Sequence, residues 1–159
     1  MIDADYILSS LTKTFPNDFS ESKIESDTKL TSYVEKDAIF NVCKHMLDNL
    51  ECNHLSCECG VDYPDRNELE VVYHIASYEH PVVITLKVKL PRDDPEIESI
   101  VSVYWNANWY ERETYELYGI MYKNHPDLKP LLLIDEMLGD WPLRKDYDGY
   151  PNKTSKNLV

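Results

Sequence analysis

A chain of 159 residues, 43% hydrophobic and 28% charged, has the length of one ordinary globular domain and enough apolar residues to bury a core. Its net charge of −13 argues against nucleic acid or anionic lipid as a direct partner, because both repel an acidic surface. The charge is uneven: residues 1–122 hold 10 Lys/Arg against 23 Asp/Glu, whereas residues 123–159 hold 6 of each.

Taken in chain order, Ile2, Tyr6, Ile7, Leu11 and Phe15 fall near helical spacing and Pro16 ends the run, which predicts a helix over 2–15. Residues 17–28 are polar and are expected to connect it to a short strand over 29–34. Ile39, Phe40, Cys43, Met46, Leu47 and Leu50 form an apolar stripe, predicting a helix over 37–50. The period then changes to two. Leu55, Cys57, Cys59 and Val61 are expected on one face of a strand, with His54, Ser56 and Glu58 on the other.

A turn at 63–67 leads to a strand over 69–77, and Val82, Ile84, Leu86, Val88 and Leu90 alternate as in a half-solvated strand. After the loop at 91–95, a further strand is expected over 99–105 and a helix over 106–118, with Gly119 as its C-terminal glycine. Two adjacent hairpins and packed helices make the fold class α+β, with a mostly antiparallel sheet. Periodicity stops at Gly119. Residues 120–159 carry scattered prolines, yet also Leu128, Leu131, Leu132, Leu133, Ile134, Met137, Leu138, Trp141 and Leu143. A structureless segment that long is uncommon in a compact domain, and one that apolar needs covering. The expected organisation is therefore an α+β domain over 1–119 and an extended C-terminal docking segment and tail over 120–159.

No run of apolar residues approaches the roughly 20 that a membrane span needs. With Asp3 and Asp5 before Lys13, the first residues lack the basic-then-apolar order of a signal peptide, so the four cysteines are expected to be reduced thiols. Cys52, His54, Cys57 and Cys59 offer four soft ligands within eight residues, but not at the usual C-x2-C spacing. The alternation instead places Cys57 and Cys59 among buried hydrophobes. Four glycines in the whole chain leave no glycine-rich phosphate loop. Glu111 and Glu113 are a carboxylate pair of the kind used in acid–base catalysis. Arg112 between them, with Glu116 four residues on, suggests instead a helix held by ion pairs. His125, in Asn124-His125-Pro126-Asp127, suits a turn with backbone contacts better than ligation. The aromatics Tyr104, Trp105, Trp109, Tyr110, Tyr115, Tyr118 and Tyr122 are dense enough to be interface anchors, or else an aromatic-rich core.

The run Ala107-Asn108-Trp109-Tyr110-Glu111-Arg112-Glu113-Thr114-Tyr115-Glu116-Leu117-Tyr118-Gly119-Ile120 resembles the signature helix of the thirty-kilodalton subunit of respiratory complex I, the NADH:quinone oxidoreductase. The resemblance continues through His125-Pro126-Asp127-Leu128, Leu131-Leu132-Leu133 and Pro142-Leu143-Arg144-Lys145-Asp146-Tyr147, and covers roughly residues 30–147 with Val61-Asp62-Tyr63-Pro64 included. Asn124 stands where that family usually has glycine, and Trp141 where it often has histidine.

The resemblance implies a non-catalytic peripheral-arm subunit packed beside the quinone-site subunit, a relative of the nickel–iron hydrogenase large subunit. It implies no catalytic, cofactor-binding or metal-binding residue and no flavin, cluster or metal in this chain. The assembled complex would carry flavin and iron–sulfur clusters. The chain would lie on the cytoplasmic face of the cell membrane, held there by partner subunits. The electron donor would be NADH or, as in archaeal members of the family, a reduced deazaflavin coenzyme, and the acceptor quinone or a phenazine-type analogue. Residues expected at the docking surface are Trp109, Glu111, Arg112, Glu113, His125, Pro126, Leu131, Leu132, Trp141, Arg144 and Lys145, with Arg144 pairing Glu111 or Glu113. The alternatives are the equivalent subunit of a membrane-bound nickel–iron hydrogenase, or a small soluble metal or redox protein built on Cys52–Cys59.

Overall fold

The computed structural model describes residues 2–149. Its first helix, α1 (Ala4–Thr14), is capped by Asp3, whose carboxylate accepts a hydrogen bond from Tyr6 N at 2.8 Å. Ile7 and Leu11 are buried beneath it. The residues that follow are not a connection. Strand β1 (Phe19–Ser26) pairs antiparallel with β2 (Lys29–Val34), from Phe19 opposite Val34 to Ser26 opposite Lys29. β1 lies at the sheet edge and exposes most of its side chains, so its polar sequence carries no hydrophobic alternation.

Helix α2 (Ile39–Leu50) buries Ile39, Val42, Cys43, Met46 and Leu50, a stripe at helical spacing. It ends at Glu51 in the left-handed region, φ 55°. Strands β3 (His54–Tyr63), β4 (Glu68–Ala76) and β5 (Val83–Pro91) complete a five-stranded sheet in the order β1-β2-β5-β4-β3. The β2–β5 pair is parallel and the others are antiparallel. On the inner face Leu69, Val71, Tyr73 and Ile75 of β4 stand opposite Leu90, Val88, Leu86 and Ile84 of β5. With the buried stripes of α1 and α2 they form one core, each large aliphatic side chain contributing about 1.5–3 kcal/mol by burial.

Strand β3 corrects the expected placing of the cysteines. Its pairing with β4 shifts register between Leu55 and Cys57, and a one-residue shift exchanges the faces of every residue beyond it. Glu58, Gly60 and Asp62 therefore face inward with Leu55, while Cys59 is exposed and Cys57 half-buried. The expected strand over 99–105 is also absent. Strand β6 is shorter and earlier (Glu96–Glu98), and residues 99–106 make turns in which Val103 and Tyr104 both donate to Ile100 O. These turns deliver the chain into helix α3 (Ala107–Tyr118).

Nor does the body end at Gly119. Strand β7 (Met121–Lys123) pairs parallel with β6, and Ile120 and Tyr122 belong to the buried core. Among the described residues, no helix is long and apolar enough to cross a membrane.

Candidate docking site

Helix α3 organises the chain that follows it. Its residues Glu111, Arg112, Thr114 and Glu116 are buried although all four are polar, so each needs a partner. Arg112 does not pair with Glu116. Its Nε donates to Lys129 O and its Nη2 to Pro130 O, both at 2.9 Å, while the guanidinium lies 5.3 Å from the Trp109 ring. Glu116, one turn on, accepts from three consecutive backbone amides. Leu131 N and Leu133 N reach Oε2 at 2.9 and 3.1 Å, and Leu132 N reaches Oε1 at 2.8 Å and Oε2 at 3.1 Å. One cation thus takes the carbonyls of a turn and one anion takes its amides. Together they fix residues 129–133, which have little regular structure of their own.

A second attachment lies at the C-terminal end of α3. Gly119 adopts φ 76°, a left-handed conformation that glycine takes at no steric cost. A Cβ there would lie 2.5 Å from the Trp141 indole, so only glycine lets that ring pack on the backbone. The last helical carbonyls, which have no partner inside the helix, are taken by the returning chain: Leu143 N donates to Leu117 O at 3.1 Å and Arg144 Nε to Tyr118 O at 2.8 Å. The Arg144 guanidinium stacks 4.1 Å over Trp141. The expected pairing of Arg144 with Glu111 or Glu113 is therefore replaced by a cation at a helix C-terminus, where the helix dipole also favours it. Glu111 is committed elsewhere, accepting from Ile100 N at 2.7 Å, and Glu113 is exposed.

A further carboxylate, Asp62 on the inner face of β3, anchors the later part of this strap (residues 129–147). It accepts two bonds from Arg92, at 2.8 and 3.1 Å, and a third from Lys145 N at 2.7 Å; Arg92 also grips Asp146 at 2.6 Å. Burial opposes ionisation of Asp62, but the Arg92 guanidinium and the Lys145 amide outweigh it and hold the carboxyl below its usual range. Glu116, Asp62 and Arg92 were not among the expected site residues. Glu116 and Asp62 stand within the motifs that carry the resemblance, whereas Arg92 is marked only by its place in the loop at 91–95.

His125 joins the turn after β7 to α3. Its Nδ1 accepts from Asp127 N at 3.0 Å, which leaves the proton on Nε2, 3.4 Å from Asn108 O. Burial holds its pKa down, so the ring is neutral at physiological pH. Pro126 is exposed beside it. Asn124 takes φ 60°, a left-handed conformation that asparagine tolerates better than most residues.

Held in this way, the strap turns apolar side chains outward. Leu132, Ile134, Leu138, Trp141 and Leu143 are between 37% and 63% exposed, and Leu131 is half-buried. A cleft of about 240 Å³ opens among them, lined by Tyr115, Gly119, Met121, Pro130, Leu138 and Trp141. Trp109 of α3 and Trp105 in the turns before it are 53% and 72% exposed, whereas Tyr104 and Tyr122 are core residues. The side chain of Lys145 points into solvent.

The four soft side chains considered for a metal do not converge. Cys52 is buried with Sγ 3.5 Å from Leu50 O, His54 Nδ1 meets the Tyr78 hydroxyl at 2.8 Å, and Cys57 and Cys59 lie on the outer face of the sheet. Among the described residues no group of three or more His, Cys, Asp or Glu is placed to hold a metal ion.

Residues 32–153 match the family model described as "Respiratory-chain NADH dehydrogenase, 30 Kd subunit". The chain is 63% identical over 158 residues to a subunit of the F(420)H(2) dehydrogenase of Methanosarcina mazei, covering 99% of this chain and 100% of that one. It is 43% identical over 122 residues to a subunit of the NADH-quinone oxidoreductase of Methylobacterium sp. (strain 4-46), covering 75% of this chain and 56% of that protein. The chain thus spans the whole of the archaeal relative and little more than half of the bacterial one. In fold it superposes on a chain of the membrane-bound sulfane sulfur reductase, an archaeal respiratory membrane complex, with TM-score 0.84, 23% identity and coverage of 98% and 91%. It also superposes on a trypsin-resistant fragment of Nqo5 with TM-score 0.64, 22% identity and coverage of 78% and 98%. The chain belongs to the family of the 30 kDa subunit of the respiratory-chain NADH dehydrogenase.

Proposed function

We propose that this chain is a non-catalytic peripheral subunit of a complex I-type oxidoreductase, and that the strap over 129–147 is the face it presents to the quinone-site subunit. The observation that carries this reading is the division of labour in the strap. Its backbone is tied down by Arg112, Glu116, Arg144 and Asp62, while its large apolar side chains are turned outward. A segment that merely closed its own core would point those side chains the other way. Prior fixing of the backbone lowers the ordering cost of association, so more of the apolar contact appears as affinity.

Full-length similarity to a subunit of an F(420)H(2) dehydrogenase supports a reduced deazaflavin coenzyme as the electron donor of the assembled complex, with a quinone or phenazine-type acceptor. Flavin and iron–sulfur clusters would then reside in other subunits. The complex would lie on the cytoplasmic face of the membrane, to which this chain is held through its neighbours. The test is a tagged form of this chain with Leu132→Asp and Leu138→Asp, expressed in place of the wild type. It should keep its circular dichroism and thermal transition yet be lost from the purified membrane complex. Recovery at wild-type stoichiometry would refute the docking assignment.

A further inference from the structure

Beneath α3, away from the strap's apolar face, lies a set of buried polar side chains that docking does not use. Glu58 of β3, Tyr73 of β4, Glu111 of α3 and Tyr122 of β7 are all buried. Glu58 Oε1 accepts from the Tyr122 hydroxyl at 2.6 Å, and Glu111 Oε1 accepts from Ile100 N at 2.7 Å. The remaining oxygen of each carboxyl, together with the Tyr73 hydroxyl, is buried without a hydrogen-bond partner.

Among the described residues, the groups that face this pair come from every surrounding element, and none is cationic. Cys43 of α2, Tyr73, Tyr122 and, on the side of Glu111, Glu98 of β6 are neutral or acidic. His125 Nε2 lies 3.9 Å from Glu111 Oε2, beyond hydrogen-bond reach, and its ring is neutral because burial disfavours the cation. Arg112 is turned toward the carbonyls of Lys129 and Pro130. Two buried carboxyl groups sharing one interior with no ammonium or guanidinium cannot both be ionised at low cost. Each would lose its water, and each would repel the other.

We propose that Glu58 and Glu111 form a buried, cation-free proton-binding site in which one of the two carboxyl groups keeps its proton at neutral pH. The proton resides on Glu58. Glu111 has the Ile100 amide and the Ser99 side chain to favour its charged form, whereas Glu58 has one phenolic donor. Burial and the Glu111 charge push Glu58 well above the usual carboxylate range, and burial pushes Glu111 up to about 7. Linkage fixes the sign: both folded values exceed the unfolded one, so the folded chain binds more protons and loses stability as pH rises from about 4.3 through the folded values.

The site is tested on the full chain with glutamate carboxyl carbons labelled for NMR. The expected result is one carboxyl resonance still in its protonated position at pH 7 and a second titrating near it, while the exposed glutamates titrate as ordinary carboxylates. Glu58→Gln, which resembles the protonated acid in shape, should abolish the first signal and leave the second titration in place, because Glu58 is already neutral while Glu111 titrates. A spectrum in which every glutamate is ionised at pH 7 overturns the proposal. So does a protonated signal unchanged in both Glu58→Gln and Glu111→Gln. Should Glu58→Gln fail to fold, Glu111→Gln decides: removing the neighbouring charge must lower the titration point of Glu58, and an unmoved midpoint overturns the shared site.

Discussion

Replacing Glu116 by glutamine tests how the strap is held. The carboxylate accepts four contacts from three consecutive amides, at 2.8 to 3.1 Å. Glutamine keeps the size but has one acceptor oxygen and an NH2 group that would face N–H donors. In its better orientation it retains the three contacts of Oε2 as neutral bonds and loses the one made by Oε1. Hydrogen bonds to a charged group contribute roughly 1.5–3 kcal/mol each, against roughly 0.5–1.5 for neutral ones. Allowing for non-additivity, the substitution should cost about 2–4 kcal/mol for opening residues 129–133. Amide hydrogen exchange reads that opening directly, and Leu131, Leu132 and Leu133 should exchange about 30- to 700-fold faster. Core amides of β4 and β5 should keep their protection. Unchanged protection at the three leucines would rule out Glu116 as the clamp, as would equal acceleration of every amide in the chain.

Two further outcomes follow from the second attachment. Because Arg92 and the Lys145 amide hold the Asp62 pKa below its unfolded value, the contribution of Asp62 is fully present above about pH 4 and is lost as pH falls through the folded value; Trp141 fluorescence followed from pH 6 downward should show a transition that Asp62→Asn removes. Gly119→Ala combines a strained φ of 76° with a Cβ 2.5 Å from the Trp141 indole, so it should shift Trp141 emission toward that of a solvated indole and lower stability by roughly 2 kcal/mol in urea titration.

Much of the architecture was legible because α2 and β5 bury one face at the period of their own secondary structure. The misreadings have specific physical causes. β1 is polar on both sides because it forms the sheet edge, so alternation never marks it as a strand. The register shift in β3 moves Cys57 and Cys59 to the outer face and Glu58 and Asp62 inward, and periodicity alone cannot register a bulge. Ile100, Val101 and Tyr104 are buried at turns rather than along a strand. Arg112 and Glu116 show the limit for the site. Their spacing is that of an intrahelical ion pair, and a sequence names side chains but not the backbone groups they will meet. The signature helix was legible as a unit, whereas the backbone groups it meets 15 or more residues away in the strap were not.

If the strap is a docking face, its outward side chains are buried by a neighbouring subunit in the assembled complex. Hydroxyl-radical footprinting of Leu132, Ile134, Leu138, Trp141 and Leu143, compared between the free chain and the intact membrane complex, measures this burial. Strong oxidation of these five side chains is expected in the free chain and protection in the complex, with the exposed Tyr78 between β4 and β5 as a reference. Equal oxidation of the five in both states would show that the strap is not the docking face.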